Sequence, residues 1–461
     1  MKRFSLFRAG LLAAAVTFTV SLRAESVERA ELQALRAQVQ QLEQQLRVLA
    51  RKLELKDEAA AAAAPTTPRI TVNDRGATLA SADAANSIRI RGLVQLDNRL
   101  FFDDAGGVNN NAFVLRRARM ISEGQFAKNY GFQLVTEFGG SSVSILDANL
   151  TIGLTKWAQL RLGKFKVPVG HEQLQSDSWT FFNERSIVTN LVPNRDLGIQ
   201  LGGDLAENRV NYALGVFNGL GDGGSTTNTD VDEEKSLAGR LFFTPFRSEA
   251  GSPVQGLGFG VSGSVGREKG TAARTGGYRT DGQQTFFAYN AAVIGDGRNW
   301  RVSPHFDYRN GSWGLLGEYV LSITNLRPTA TGPKTEIQNK AWQLAAGYVL
   351  TGEDSSYAGV VPRTNFDLAA GTWGAFEVVG RYSNVKVDDV VFPAFASAAA
   401  NAKEATGLGL GLNWYLGKAT MLKMDYYQTD FKFNATAPAV PTAPVLRQDE
   451  KAFITRFQLT F

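Results

Sequence analysis

The chain has 461 residues, with 49 Lys and Arg against 44 Asp and Glu and no cysteine, which excludes disulfide frameworks and thiolate metal sites. Two histidines, His171 and His305, leave no His-rich metal site, and 47 Gly with 29 Phe against 4 Met suit many short strands better than helices. The formal charge of +5 falls to +1 once Lys2, Arg3, Arg8 and Arg23 of an N-terminal leader are set aside, so net charge gives no case for binding nucleic acid.

The leader is residues 1–24, "MKRFSLFRAGLLAAAVTFTVSLRA". Basic residues come first, an apolar run follows from Ala9 to Val20, and Ala24 offers a small residue for cleavage, which is the pattern of a secretory signal peptide. A membrane-spanning helix needs ~20 apolar residues, more than this run supplies. Residues 25–58 carry Leu32, Leu35, Val39, Leu42, Leu46, Leu49 and Leu53 at alternating spacings of three and four. That is an a/d seam with Gln, Glu and Arg elsewhere, so it predicts a self-associating periplasmic coiled coil. The run "AAAAAAPTTP" then breaks the helix, and residues 59–87 read as an Ala/Pro linker.

From residue 88 to 461 the grammar changes to segments of about ten alternating residues between turn-rich loops. Arg89, Arg91, Gln95, Asp97 and Arg99 oppose Ile90, Val94 and Leu96; Glu377 and Arg381 oppose Phe376, Val378 and Tyr382; Lys423 and Asp425 oppose Leu422, Met424 and Tyr426. Charges of both signs on one parity suit a water-filled lumen, and Phe, Tyr and Leu on the other suit lipid. A closed barrel also pairs every backbone N–H and C=O, which lipid requires. At about 20–25 residues per strand and connection, this predicts an all-β fold, a 16-stranded antiparallel transmembrane barrel preceded by a short helical coiled coil. In the closing "AFITRFQLTF", Phe453, Phe457, Leu459 and Phe461 are expected to face lipid, and Arg456 and Gln458 the pore. The terminal Phe461 resembles the C-terminal aromatic signal of outer-membrane barrels.

Motifs of catalysis lack their context. "GFGVSG", Gly258 to Gly263, matches a dinucleotide fingerprint, yet it continues in alternating style with no helix signal, so its glycines relieve crowding in a strand. "GLGLGLNWYLGK" misses phosphate-loop spacing and has Ala419 where Ser or Thr is needed. The acid pairs Asp103–Asp104 and Asp388–Asp389 read as solvated loop charge. No enzyme, cofactor or metal is expected.

The stretches "NAFVLRRARMISEGQF", "LRLGKFKVPVGHEQLQSDSWTFFNERS", "NRDLGIQLGG", "LGVFNG", "AGRLFFTPF" and "GLGLNWYLGKATMLKMDYY" occur in this order. Together they resemble the phosphate-selective porin O and P family. The resemblance implies a trimeric outer-membrane barrel in which inward loops narrow the pore and small anions pass basic side chains to a phosphate site. It places Arg116 and Arg117 at the family's arginine pair, Asp147 at its acidic position and Ser176 at its loop serine. Strand parity adds Arg89, Arg91 and Arg119, adds Lys164 and Lys166 if Phe165 and Val167 face lipid, and adds Arg240. Each of these could equally be a salt-bridged wall residue, with Glu123, Asp97 and Glu377 as available partners. Two departures stand out. Lysines expected after "PVGHE" are replaced by "QLQSDSW", with Gln173, Asp177 and Ser178, and the mid-chain arginines thin to Arg267, Arg274 and Arg279. The expected function is passive diffusion of small, phosphate-like anions. A general or organic-solute porin is the alternative, as is a structural tether reaching the cell wall through the coiled coil.

Overall fold

The computed structural model describes residues 33–59, 67–74, 76–102, 110–226, 228–230, 232–272, 277–434 and 449–461. The leader, Leu32, Asp103–Asp104 and Arg274 lie outside them. The chain divides into two compact units, residues 1–68 and 69–461. In the first, residues 33–59 form one α-helix. Its seam residues Leu35, Val39, Leu42, Leu46, Leu49 and Leu53 are between 48% and 65% exposed, so the apolar stripe is uncovered.

The second unit is a closed barrel of sixteen antiparallel strands. They are β1 (Ser87–Phe102), β2 (Ala112–Phe126), β3 (Tyr130–Glu137), β4 (Ser144–Thr155), β5 (Ala158–Lys166), β6 (Arg195–Leu205), β7 (Val210–Phe217) and β8 (Ser236–Phe243). The second half comprises β9 (Leu257–Ala272), β10 (Ile294–Asn310), β11 (Trp313–Arg327), β12 (Thr335–Val349), β13 (Ala375–Lys386), β14 (Glu404–Tyr415), β15 (Thr420–Lys432) and β16 (Asp449–Thr460). The barrel closes where β16 pairs with β1, from Lys451 opposite Phe102 to Thr460 opposite Leu93. Gly92 and Phe461 exchange backbone hydrogen bonds of 2.6 and 3.1 Å. A side chain at position 92 would meet the Phe461 ring at 2.4 Å, so glycine admits the terminal aromatic.

The first residues of β1 project past the end of β16. A hairpin, Arg69–Asn73 with Gly76–Ala80, covers them by pairing Ala77 with Ile90 and Ala80 with Ser87. The stretch expected to be linker therefore contains two strands, and the exposed edge that staggered closure leaves behind is paired.

Alternation holds in the wall. In β15, Lys423, Asp425 and Tyr427 are buried inward, while Leu422, Met424 and Tyr426 lie on the other face. The lipid side is lined by exposed Leu150, Leu214, Leu344 and Leu410, with Trp157, Trp313, Trp373 and Phe461 toward the end where β1 begins. Short turns mark that end as periplasmic, and the longer loops of the other end as extracellular.

Residues 167–194, between β5 and β6, turn into the barrel. They carry a one-turn helix, α1 (His171–Leu174), and a 3-10 turn, Ile187–Leu191. Val169, Phe182, Val188 and Leu191 are fully buried there. Around Ile187, Val188 and Leu191, an apolar cluster gathers Phe286 and Phe287 of the β9–β10 loop, and Val391 and Phe395 of the β13–β14 loop. The barrel interior is thus partly a packed core.

Candidate ion-conducting site

A loop buried inside a barrel brings polar backbone with it, and each group needs a partner. The inner face of β9 to β16 supplies them. Ser262 accepts from Gly170 N–H at 3.1 Å, and Glu318 accepts from His171 N–H at 2.7 Å. Asp425 accepts from Asn183 N–H at 2.6 Å, Asn413 donates to Phe181 O at 2.9 Å, and Gln458 donates to Ser178 O at 3.1 Å. Lys423 donates to the carbonyls of Thr180 and Phe182. Arg381 donates to Glu184 O at 3.1 Å and lies 4.4 Å from the centre of the Phe182 ring. Charges that alternation assigns to a lumen are here sealed against the loop.

Two loop carboxylates complete the attachment. Glu184 takes Arg116 at 2.7 Å, Arg456 at 2.6 Å and Arg117 at 3.6 Å. Asp177 takes Arg119, Arg185 and, at 3.3 Å, Arg117. Burial alone would raise both carboxyl pKa values, but the surrounding arginines outweigh it and hold both well below the usual range. A register shift between Gln95 and Leu96, whose partners are Arg117 and Leu115, leaves Arg116 as an extra residue in β2. That bulge turns two consecutive arginines toward the same loop, which strict alternation forbids.

The open space lies on the other side of the loop. A cavity of about 1090 Å³ is lined by β1 to β8, by Leu174 and Ser176–Trp179 of the loop, and by Glu353–Arg363 of the periplasmic β12–β13 connection. It reaches Asp74, Lys418 and Phe461 at the periplasmic end. Its walls carry nine basic and six acidic side chains, so the lining is net basic although the chain is nearly neutral.

Most of these basic groups are already paired. Arg89 and Arg91 meet Glu123 at 3.6 and 3.0 Å, Arg119 also meets Glu137 at 2.6 Å, and Arg195 meets Asp147 at 3.0 Å. Four cavity-lining cations have no carboxylate within 4.0 Å among the described residues: Arg161, Lys166 and Arg240 on the strands, and Arg363 in the β12–β13 connection, which donates to Gly352 O. Lys166 donates to the carbonyls of Gln173 and Gln175 at 2.7 and 2.8 Å. Arg161 lies 5.4 Å from the centre of the Phe165 ring. Arg240 lies 4.8 Å from that of Phe242 and donates to Asn211 at 2.7 Å. Arg161 faces Gln200, and Arg240 faces Ala213, which in turn faces Gly202, so the wall beside Arg240 carries only small side chains.

Arg240 also contacts a ring cluster. Its Nη2 is 3.3 Å from His171 Nδ1, and His171 stacks on His305 with centroids 4.8 Å apart. A guanidinium only donates, so Nδ1 accepts and the His171 proton sits on Nε2, toward Asp307 at 3.5 Å. The two histidines, distant in sequence, thus stack face to face. No group of three potential metal ligands occurs among the described residues. Gly260 of the "GFGVSG" run lies in β9, where a side chain would meet His305 Nε2 at 2.2 Å.

Of the residues expected from the sequence, Arg89, Arg91, Arg119, Asp147, Lys166, Ser176 and Arg240 line this one cavity. Arg116, Arg117 and Lys164 do not. The arginine pair is spent on the loop carboxylates, and Lys164 donates to Thr226 O at 3.1 Å and Asn228 at 2.8 Å. The parity argument for the lysines fails because Phe165 and Val167 are buried, 2% and 3% exposed, and do not face lipid. Phe165 packs edge-on against Phe217 at 5.5 Å. Arg456 and Gln458 point inward as expected but are sealed beneath the loop, each 1% exposed. Arg161 and Arg195 were not anticipated. Leu160 and Leu162 flanking Arg161 carry the signal that would have set the parity of β5.

The family model described as phosphate-selective porin O and P matches residues 88–461. The chain is 25% identical over 419 residues to Porin O of Pseudomonas aeruginosa, spanning 84% of this chain and 91% of that protein. Among solved structures, the outer membrane channel DcaP of Acinetobacter baumannii aligns with a TM-score of 0.52 at 10% identity, over 82% of this chain and 98% of that one. OmpT of Vibrio cholerae aligns with a TM-score of 0.51 at 12% identity, over 85% and 100%. At such identities the two structures speak for the fold alone.

Proposed function

The chain belongs to the phosphate-selective porin O and P family, as a channel barrel of the Gram-negative outer membrane, and we propose that it passes small anions of the phosphate class by diffusion. One observation carries the selectivity. Arg161, Lys166 and Arg240 face a net-basic cavity without a neutralising carboxylate, as does Arg363 in the periplasmic connection, whereas Arg89, Arg91, Arg119 and Arg195 are consumed by ion pairs. Forked, weakly hydrated guanidinium groups suit a tetrahedral oxyanion, and separate cations let it pass from one to the next without a deep trap. No covalent chemistry is required. The same reading makes the helix of residues 33–59 the self-association element of a trimer, since its a/d seam is uncovered. A trimer form is also known for OmpT of Vibrio cholerae.

The test is reversal potential and phosphate block in planar bilayers. The expected result is anion preference, with chloride current blocked saturably by phosphate and the block weakened in Arg161→Ala and Arg240→Ala. Cation preference, or ohmic current insensitive to phosphate, would sink the proposal in favour of a general porin.

A further inference from the structure

The outer face of the barrel carries charges that the channel does not use. On β9 and β10, Arg267 lies directly opposite Arg298; on β12 and β13, Lys340 lies directly opposite Lys386. All four are exposed and share the lipid-facing parity with Val265, Trp342 and Tyr382. Like charges directly opposite one another on a strand pair are destabilising. None of the four makes an ion pair within 4.0 Å among the described residues. On β14 the same face carries Glu404, directly opposite Lys386 but already paired with Lys432 at 3.0 Å, so Lys386 faces an acid that has another partner.

Depth fixes what these charges meet. Arg298 lies two residues toward the extracellular loops from Trp300, and Lys340 two residues from Trp342, whose ring contacts Tyr382 at 5.5 Å. Tryptophan and tyrosine settle at headgroup level, so the next outward step of the wall lies among lipid phosphates. Two strand spacings separate the pairs, and Lys340 is level with Val302, four residues along from Arg298, so the two basic pairs stand ~16 Å apart, within reach of long side chains around a headgroup bearing more than one phosphate.

We propose that Arg267, Arg298, Lys340 and Lys386 form a binding face for the phosphorylated headgroup of an outer-leaflet lipid, whose negative charge relieves the two opposed cation pairs. The mid-chain Arg267 thus faces lipid and does not touch permeating ions.

The test uses the full-length channel purified in neutral detergent, with diphosphoryl lipid A as probe and its dephosphorylated form and inorganic phosphate as controls. Wild type should bind diphosphoryl lipid A, seen as adducts in native mass spectrometry, and gain thermal stability from it. Dephosphorylated lipid A and inorganic phosphate should do neither. The quadruple variant Arg267→Gln, Arg298→Gln, Lys340→Gln, Lys386→Gln should lose affinity by about tenfold or more, with single-channel conductance unchanged. The single variant Arg267→Gln guards against misfolding. It should melt no lower than wild type in lipid-free detergent, where it relieves repulsion, and lower than wild type once lipid A is present. Equal lipid A affinity in wild type and the variants would overturn the proposal. So would binding that ignores the phosphates, or loss of oligomers with lipid affinity intact, which would make the face a subunit contact.

Discussion

The two halves of the barrel wall use similar side chains for opposite ends. On β9 to β16 the inward charges Glu318, Arg381, Lys423, Asp425 and Arg456 are buried against the inward loop, binding its backbone and Glu184. On β5 to β8, Arg161 and Arg240 face open water with only polar or aromatic neighbours. Strands β1 and β2 stand at the seam, where Arg116, Arg117 and Arg119 reach across to the loop acids. A charge inside a barrel is therefore not evidence of a path for ions. What distinguishes the two roles is whether a loop covers it.

The largest effect should come from breaking the sealed half. Arg456→Met leaves Asp97 and Glu184 short of a buried partner and should cost about 3–5 kcal/mol, read as a lower melting temperature of the barrel. Because the loop loses an anchor, single-channel current should also become noisier and larger. A quiet, unchanged channel would show that the clamp is dispensable. Next come Arg161→Ala and Arg240→Ala on the open half, each expected to weaken phosphate block about tenfold while leaving the stability of the barrel within about 0.5 kcal/mol of wild type. If instead these variants destabilised the fold and spared the block, the assignment of the two halves would be reversed.

Acid should weaken the loop attachment. Asp177 and Glu184 titrate well below the ordinary carboxylate range in the folded state, so their contribution to stability is complete above about pH 4–5, where unfolded carboxylates are charged. It is lost progressively as pH falls from there through the depressed folded values. Conductance noise should be flat from neutral pH to about 5 and rise below about 4. Asp177→Asn should show the noisy state already at neutral pH.

Much of the fold was legible because alternation is a period-two signal that neither turns nor loops imitate, and the closing stave from Ala452 to Phe461 reads correctly in orientation. The site was less legible, for three physical reasons. A bulge at Arg116 breaks the period where two consecutive arginines are needed on one side. In β5 the aromatic Phe165, which composition assigns to lipid, packs inside against Phe217, and Lys166 beside it faces the cavity as well, so strict parity does not hold there and passes over Arg161. The inward loop then covers half of the polar parity, and no local pattern in β14 or β16 announces a partner some 230 to 270 residues earlier, as Asn413 with Phe181 and Arg456 with Asn183 require.

The finest comparison isolates one atom at the border of the two halves, His171 Nδ1. It belongs to the buried loop but holds Arg240, which belongs to the open cavity. His171→Phe keeps a flat ring in the stack with His305, Phe242 and Tyr357 and removes the acceptor. His171→Asn gives up the stack and can return an acceptor oxygen near the same place. If Arg240 needs that acceptor to point at passing anions, phosphate block should weaken about two- to threefold in the Phe variant and stay close to wild type in the Asn variant. Equal phosphate block in wild type and His171→Phe would remove His171 from the account of the pore and leave it to the packing of the loop.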